Sequence, residues 1–181
     1  MMMIITGTPG TGKTTVSKIL KDKLNAHLIS INSLLDEYEL SLGTDKVRGY
    51  DIVDTEKMIP IVEKIKNKYS NENLIFEGHL AQDYPHSDKI VVLRCNPDEL
   101  NKRLGTRNWK KEKVQENVSA EILSVCTSES YETYGDIVQE VDTTNLTPNE
   151  VADILFDIFN DKKSYSLGEI DYLTDYFHYL N

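Results

Sequence analysis

The sequence predicts an α/β fold with a mainly parallel sheet, and three observations predict it. Two apolar runs, Asn73 to Glu77 (NLIFE) and Lys89 to Arg94 (KIVVLR), are near-continuous rather than alternating, as expected of strands covered on both faces. Segments with helical spacing separate such runs along the chain. A third apolar run, at the start, meets a glycine-rich loop that leads directly into an amphipathic helix.

The elements follow in order. Met2 to Thr6 reads as a short buried strand and Gly7 to Gly12 as a loop. Lys13 to Leu24 is an amphipathic helix with Val16, Ile19, Leu20 and Leu24 on one face. Leu28 to Ile31 is a second strand, and Ser33 to Tyr38 is helical. Glu39 to Asp54 is polar, carries Gly43 and Gly49 and has no clear period. A stretch that long between elements is functional or mobile. Asp54 or Thr55 caps a helix to about Tyr69, with Ile59, Val62 and Ile65 inward and Pro60 near its start, where proline does least damage. After the two apolar strands, Pro97 begins a helix to Leu104 capped by Asn96. Asn108 to Lys113 is a basic patch, Val114 to Cys126 a long helix and Asp136 to Asp142 a last strand. Pro148 to Phe159 is a helix capped by Thr147. The tail, 161–181, breaks at Gly168 and then forms an aromatic, acidic helix.

A chain of 181 residues favours one domain. Its formal charge of −10 argues against a protein that lives on bare phosphate backbone, where clustered cations are needed. It permits one small basic pocket or a basic protein partner. Two cysteines, Cys95 and Cys126, form no CxxC pair, which argues against a disulfide framework or a cysteine zinc site. Both fit small core residues. No signal-peptide pattern and no membrane-length apolar run is seen, so a soluble cytoplasmic protein is expected.

Residues 7–14 read Gly-Thr-Pro-Gly-Thr-Gly-Lys-Thr, which fits G-x-x-x-x-G-K-[ST] in strand-to-helix context. Glycines let backbone N–H groups point at phosphate oxygens, and the helix N-terminus adds partial positive charge. Lys13 would reach the β- and γ-phosphates, Thr14 would offer its hydroxyl to Mg²⁺, and Thr15 would hold the α-phosphate. The expectation is a nucleoside triphosphate bound with Mg²⁺.

A phosphate loop does not separate a kinase from a GTPase or a motor. The chain is too short for a motor and holds no Asn-Lys-x-Asp sequence for guanine. Two segments remain outside the core, 30–53 and 106–116. Arg103 and Arg107 are spaced i, i+4 and would share a face on a continuous helix, with Lys110, Lys111 and Lys113 following. That cluster reads as a cationic lid that stabilises phosphoryl transfer, or as a solvated basic helix end balancing Glu99, Glu112 and Glu116.

Taken together, GTPGTGKTT, FEGHLAQDYP, VLRCNPDELNKRL-x-x-R-x-W, KVQENVSAEILSVC and VDTT occur in an order and spacing that resembles the adenylate kinase isoenzyme 6 family over about residues 2–160. The resemblance implies a P-loop nucleoside monophosphate kinase fold: a five-stranded parallel sheet flanked by helices, with a short monophosphate-binding flap (30–53) and a lid (106–116). The kinase domain would span 1–160, and 161–181 would be an extension. It implies transfer of the ATP γ-phosphate to AMP, giving ADP, with broad nucleotide use and some ATPase activity. It also implies a part in small ribosomal subunit maturation, with a basic platform ribosomal protein and the 30S precursor as partners.

By position, Gly10, Thr11, Gly12, Lys13, Thr14 and Thr15 match the ATP loop, Arg107 the lid arginine that touches ATP, and His79 a histidine beside the phosphates. Ser30, Arg48, Asp51 and His79 fall on the monophosphate side. Two residues before that histidine the family often has Asp; this chain has Glu77. Its four arginines, Arg48, Arg94, Arg103 and Arg107, are fewer than familiar short-chain adenylate kinases use, so less transition-state charge can be clamped.

Each candidate has a plainer reading. Glu77 is a Mg²⁺-water ligand or water-orienting base, or a strand-end carboxylate capping a turn. His79 orients water, contacts a phosphate, or satisfies the loop backbone. Arg48 clamps the AMP phosphate or is a surface charge, and Asp51 reads a base or ribose. Trp109 packs the lid down. Tyr172, Tyr176 and Tyr179 lie at i, i+4, i+7 and pack on the parent domain or dock a partner.

Overall fold

A computed structural model describes residues 1–44 and 51–180. Five parallel strands form one sheet in the order β2-β5-β1-β6-β7: β1 (Met2–Gly7), β2 (His27–Ser30), β5 (Leu74–Glu77), β6 (Lys89–Arg94) and β7 (Val138–Asp142). Helices α1 (Lys13–Leu24), α2 (Ile31–Tyr38), α3 (Thr55–Lys68), α4 (Pro97–Gly105), α5 (Lys111–Ile122), α6 (Val125–Tyr134) and α7 (Pro148–Phe159) surround it. Every residue of β1 is buried because both faces of the sheet are covered. Met2 and Ile4 pack with Met58 and Val62 of α3. Met3 and Ile5 face the other way, against Val16 and Leu20 of α1 and Val151 and Leu155 of α7. Among the described residues no helix is long and apolar enough to cross a membrane.

Register fixes where the site lies. Ile5 and Ser30 both pair with Glu77, and Gly7 pairs with Leu93. The carboxyl ends of β2, β5 and β1 therefore open onto one edge, where ligands of parallel sheets bind.

The capping expectations hold. Asp54 accepts from the Lys57 N–H at 3.0 Å, the Asn96 side chain accepts from Asp98 N, and Thr147 forms a capping box with Glu150. Both cysteines are free and buried.

Four details differ from the sequence reading. The 39–54 stretch contains an antiparallel pair, β3 (Ser41–Thr44) with β4 (Asp51–Val53). All of β3 is exposed, so no buried face imposed an alternating pattern. The long helix predicted for 114–126 breaks at Ser124, whose φ is 53°. There the Glu121 carbonyl accepts from Arg94 Nη2 at 3.0 Å and from Ser124 N at 3.1 Å, which replaces the next helical bond by a tight turn. The last strand begins at Val138 because Gly135–Ile137 form a 3-10 turn.

Among the described residues the tail holds α8 (Leu173–Tyr176) and a 3-10 turn, Phe177–Leu180, rather than a long helix. Its aromatic stripe packs on the parent domain. Tyr172 is buried, and Tyr176, Tyr179 and Leu180 cover Leu100, Leu104, Val118 and Ile122 of α4 and α5.

Candidate active site

The phosphate loop joins β1 to α1. Gly10 has φ 97°, and a Cβ there would stand 2.8 Å from Leu104 Cδ2, so any other residue would strain the backbone and push on the side chains of α4. Gly12 caps α1 without a side-chain hydrogen bond, which leaves the first-turn amides facing the cleft as an anion seat. Thr14 and Thr15 lie on that first turn and line the cleft. Thr11 points the other way. Its Oγ1 donates to the Thr8 carbonyl at 2.9 Å, so it braces the loop.

The Lys13 ammonium lies under the loop and donates to the carbonyls of Gly7 at 2.8 Å and Thr8 at 3.0 Å. Burial pushes its pKa down to about 8, with Glu77 and Glu121 opposing the shift.

Glu77 ends β5 only 2% exposed. Its carboxylate accepts from Ser30 Oγ at 2.6 Å and lies 3.3 Å from Thr14 Oγ1. Ser30, Thr14 and Glu77, remote in sequence, thus meet where the three strands end. His79 turns its ring into the cleft, with Nδ1 3.7 Å from Cys126 Sγ. Desolvation by the cleft walls, with the Lys13 charge behind it, lowers its pKa to about 4, so the ring is neutral at pH 7. The preceding Gly78 has φ 148°, and a Cβ there would meet Ile31 Cβ at 2.8 Å.

Arg107 lines the cleft with its guanidinium 4.9 Å from the Trp109 ring centroid, and the Lys113 ammonium lies 4.2 Å from the same ring. Trp109 also packs on the α4–α5 core, so it holds two cations at the cleft mouth. Arg103 is not brought to this mouth. Helix α4 ends at Gly105, so Arg103 and Arg107 do not share a continuous helical face. Arg103 instead donates to Glu99 at 3.0 Å and to the carbonyls of Thr143 and Thr144 at 3.3 Å. Its geometry is that of a tie between α4 and the loop after β7. Asp51 lines the flap side and accepts from Thr44 Oγ1 at 3.0 Å. Arg48 lies outside the described residues.

These residues border one cleft of about 890 Å³. It runs from the phosphate loop and Arg107 to α2 and β4, roughly the upper range for a small-molecule site.

Sequence reasoning missed Arg94 and Glu121. Arg94 is 1% exposed and pairs with both Glu121, at 2.7 Å, and Glu140. Glu121 also accepts from Thr8 Oγ1 at 2.5 Å, so the buried pair fastens α5 to the phosphate loop. The signal was present: an arginine closing the apolar run KIVVLR requires a buried carboxylate somewhere. Asn117 and Asp83, which line the cleft, were also missed.

Among the described residues no group of three or more His, Cys, Asp or Glu could hold a metal. The Thr14 hydroxyl beside one carboxylate suits Mg²⁺ instead, which takes one or two protein oxygens together with substrate phosphates and water.

Comparison with known proteins places this geometry. A family profile described as an AAA domain matches residues 3–124. The chain is 38% identical over 180 residues to a protein of Methanocaldococcus jannaschii named "Putative adenylate kinase", covering 99% of this chain and 97% of that protein. It is 39% identical over 171 residues to one of the same name from Methanothermobacter thermautotrophicus, covering 94% and 96%. Among solved structures it is similar to a thymidylate kinase from Candida albicans (TM-score 0.58, 18% identity, 94% and 95% covered). It is also similar to a deoxyadenosine kinase from M. mycoides (TM-score 0.56, 18% identity, 88% and 99% covered), and these likenesses concern the fold. The identity over nearly its whole length and the shared P-loop kinase fold make the chain a member of the archaeal adenylate kinase family, the isoenzyme 6 type that its motifs resemble.

Proposed function

We propose that the protein is an ATP:AMP phosphotransferase, a nucleoside monophosphate kinase with some ATP hydrolysis. The observation that carries this reading is a single cleft with an anion seat at one end, a flap at the other, and Glu77 between them, touched by Ser30 from the flap side and Thr14 from the loop side.

The loop amides and Lys13 hold the triphosphate. Phosphate oxygens compete with the Gly7 and Thr8 carbonyls for the Lys13 ammonium, and an anion is the stronger acceptor. Thr14, with Glu77 through water, would hold Mg²⁺, which when bound neutralises phosphate charge. Arg107 supplies a fork at the cleft mouth, and neutral His79 offers a hydrogen bond without adding charge. Catalysis is then positioning plus electrostatics, with no covalent intermediate. Arg103 acts on this reading only through the backbone it ties.

The names of the archaeal relatives support the reading. A role in small-subunit maturation, with a basic ribosomal protein, rests on the family resemblance and the net charge of −10 alone. The aromatic tail stripe adds nothing to it, since that stripe is already packed.

A coupled assay of ADP formation and phosphate release from ATP, with and without AMP, tests the proposal. AMP-dependent ADP production, abolished by Lys13→Ala in a folded protein, is expected. Phosphate release indifferent to AMP would leave only an ATPase.

A further inference from the structure

Among the described residues the flap end of the cleft has apolar walls and two carboxylates, Asp51, which already accepts from Thr44 Oγ1 at 3.0 Å, and Asp83. Ile31 and Leu35 of α2, Ile52 of β4 and Leu80 form the walls, and Asp83, on the 3-10 turn Ala81–Asp83, lines the same cleft. That turn packs on β1 and α6. The next residue, Tyr84, donates its hydroxyl to Glu63 of α3. The neighbouring polar group is spent: buried Gln82 accepts from Thr6 at 2.5 Å and donates to Glu129 at 2.9 Å. The Asp83 carboxylate, half-buried, has no hydrogen-bond partner among the described residues. Burial and the nearby Glu129 charge raise its pKa from the usual value, so its ionised form is held at a cost that an N–H donor would relieve.

We infer that Asp83 selects the monophosphate by its base, accepting from an exocyclic amino group and disfavouring a base that presents carbonyl oxygens there. The inference rests on the kinase reading and adds a substrate class to it. A flat base fits between apolar walls, and a carboxylate is an acceptor only. AMP and CMP carry an amino group on the pairing edge. UMP carries a carbonyl in its place, whose lone pairs would face the Asp83 oxygens.

CMP against UMP is the sharpest test, because the bases differ at that amino-for-carbonyl position and in the protonation of the adjacent ring nitrogen. Phosphoryl transfer to AMP, CMP and UMP would be measured for the wild-type chain and for Asp83→Asn, whose amide both donates and accepts. The wild type is expected to prefer AMP and CMP. In Asp83→Asn the CMP/UMP ratio of kcat/KM should narrow by roughly 10-fold or more, the scale of a hydrogen bond to a charged group. KM for ATP should stay unchanged. Should the amide variant melt early, Asp83→Ser reads the same ratio. A ratio untouched by either substitution overturns the inference and leaves the kinase reading standing. A wild-type chain that transfers phosphate to no monophosphate removes that reading, and the inference with it.

Discussion

Thr14 Oγ1 lies 3.3 Å from Glu77 Oε2 and 3.4 Å from Oε1, although 63 residues separate the two in the chain. The pairing follows from parallel register. Strand β5 runs beside β1, so its last residue ends level with the loop that β1 feeds. The Glu77 carboxylate also takes the Ser30 hydroxyl and is therefore held in one orientation. Glu77→Gln keeps the size and removes the charge. It is expected to raise the Mg²⁺ concentration for half-maximal ADP formation by about 10–100-fold, the usual effect of losing an outer partner of a metal site. Melting should move little. An unchanged Mg²⁺ dependence would assign Glu77 to capping alone.

Lys13 gives the site a pH limit. Its pKa sits at about 8 because burial disfavours the charged form. Below that value the ammonium is intact and attracts phosphate; above it the positive charge is lost. The kcat/KM for ATP should therefore fall as pH rises through about 8, since this parameter reports groups of the free enzyme. An ordinary lysine would keep the profile flat to near 10. Rates at saturating ATP should fall at higher pH, because bound phosphates favour the ammonium.

The phosphate loop, the strand runs and the three helix caps were legible because each depends on residues adjacent in sequence. The meeting of Ser30, Thr14 and Glu77 was legible only as separate residues, since strand order and register bring them together. The shared face expected of Arg103 and Arg107 is absent for a local reason. The i, i+4 argument assumed a helix that continues, and α4 stops at Gly105, before Arg107. The split between α5 and α6 was hidden because its cause, Arg94 on the Glu121 carbonyl, comes from a strand 27 residues away. Asp83 carries no sequence signal at all; only its place in the lining of the cleft, without a protein hydrogen bond among the described residues, distinguishes it.

The buried triad sets a stability prediction. Arg94 binds Glu121 and Glu140, and its guanidinium lies 5.3 Å from the Tyr172 ring centroid. Arg94→Leu would leave two carboxylates in the core without their cation. A loss of about 3–5 kcal/mol is expected from urea unfolding, the cost of breaking a buried pair by removing one partner. Thr8 hangs on Glu121, so a folded Arg94→Leu protein should also bind ATP more weakly. A loss below about 1 kcal/mol, the level of an exposed ion pair, would contradict the burial argument.

The tail makes a separate prediction, because it clamps α4 and α5, the two helices that residues 106–110 connect. Asn96 Nδ2, at the cap of α4, donates to the Tyr176 hydroxyl at 2.5 Å. Tyr179 donates its hydroxyl to Asp98 of α4, and its carbonyl accepts from Gln115 of α5 at 2.9 Å. The same residues cover Leu104, Val118 and Ile122. Truncation after Glu169 would uncover this apolar patch and release both helices, while the phosphate loop keeps its contacts to β1 and α1. Hydrogen exchange should quicken in 97–122 and stay unchanged in β1 and α1, since local opening tracks lost apolar contact. KM for ATP should rise more than kcat falls, because Arg107 and Lys113 ride on the released segment. Equal quickening across the whole chain would mean that the tail supports global stability rather than α4 and α5 alone.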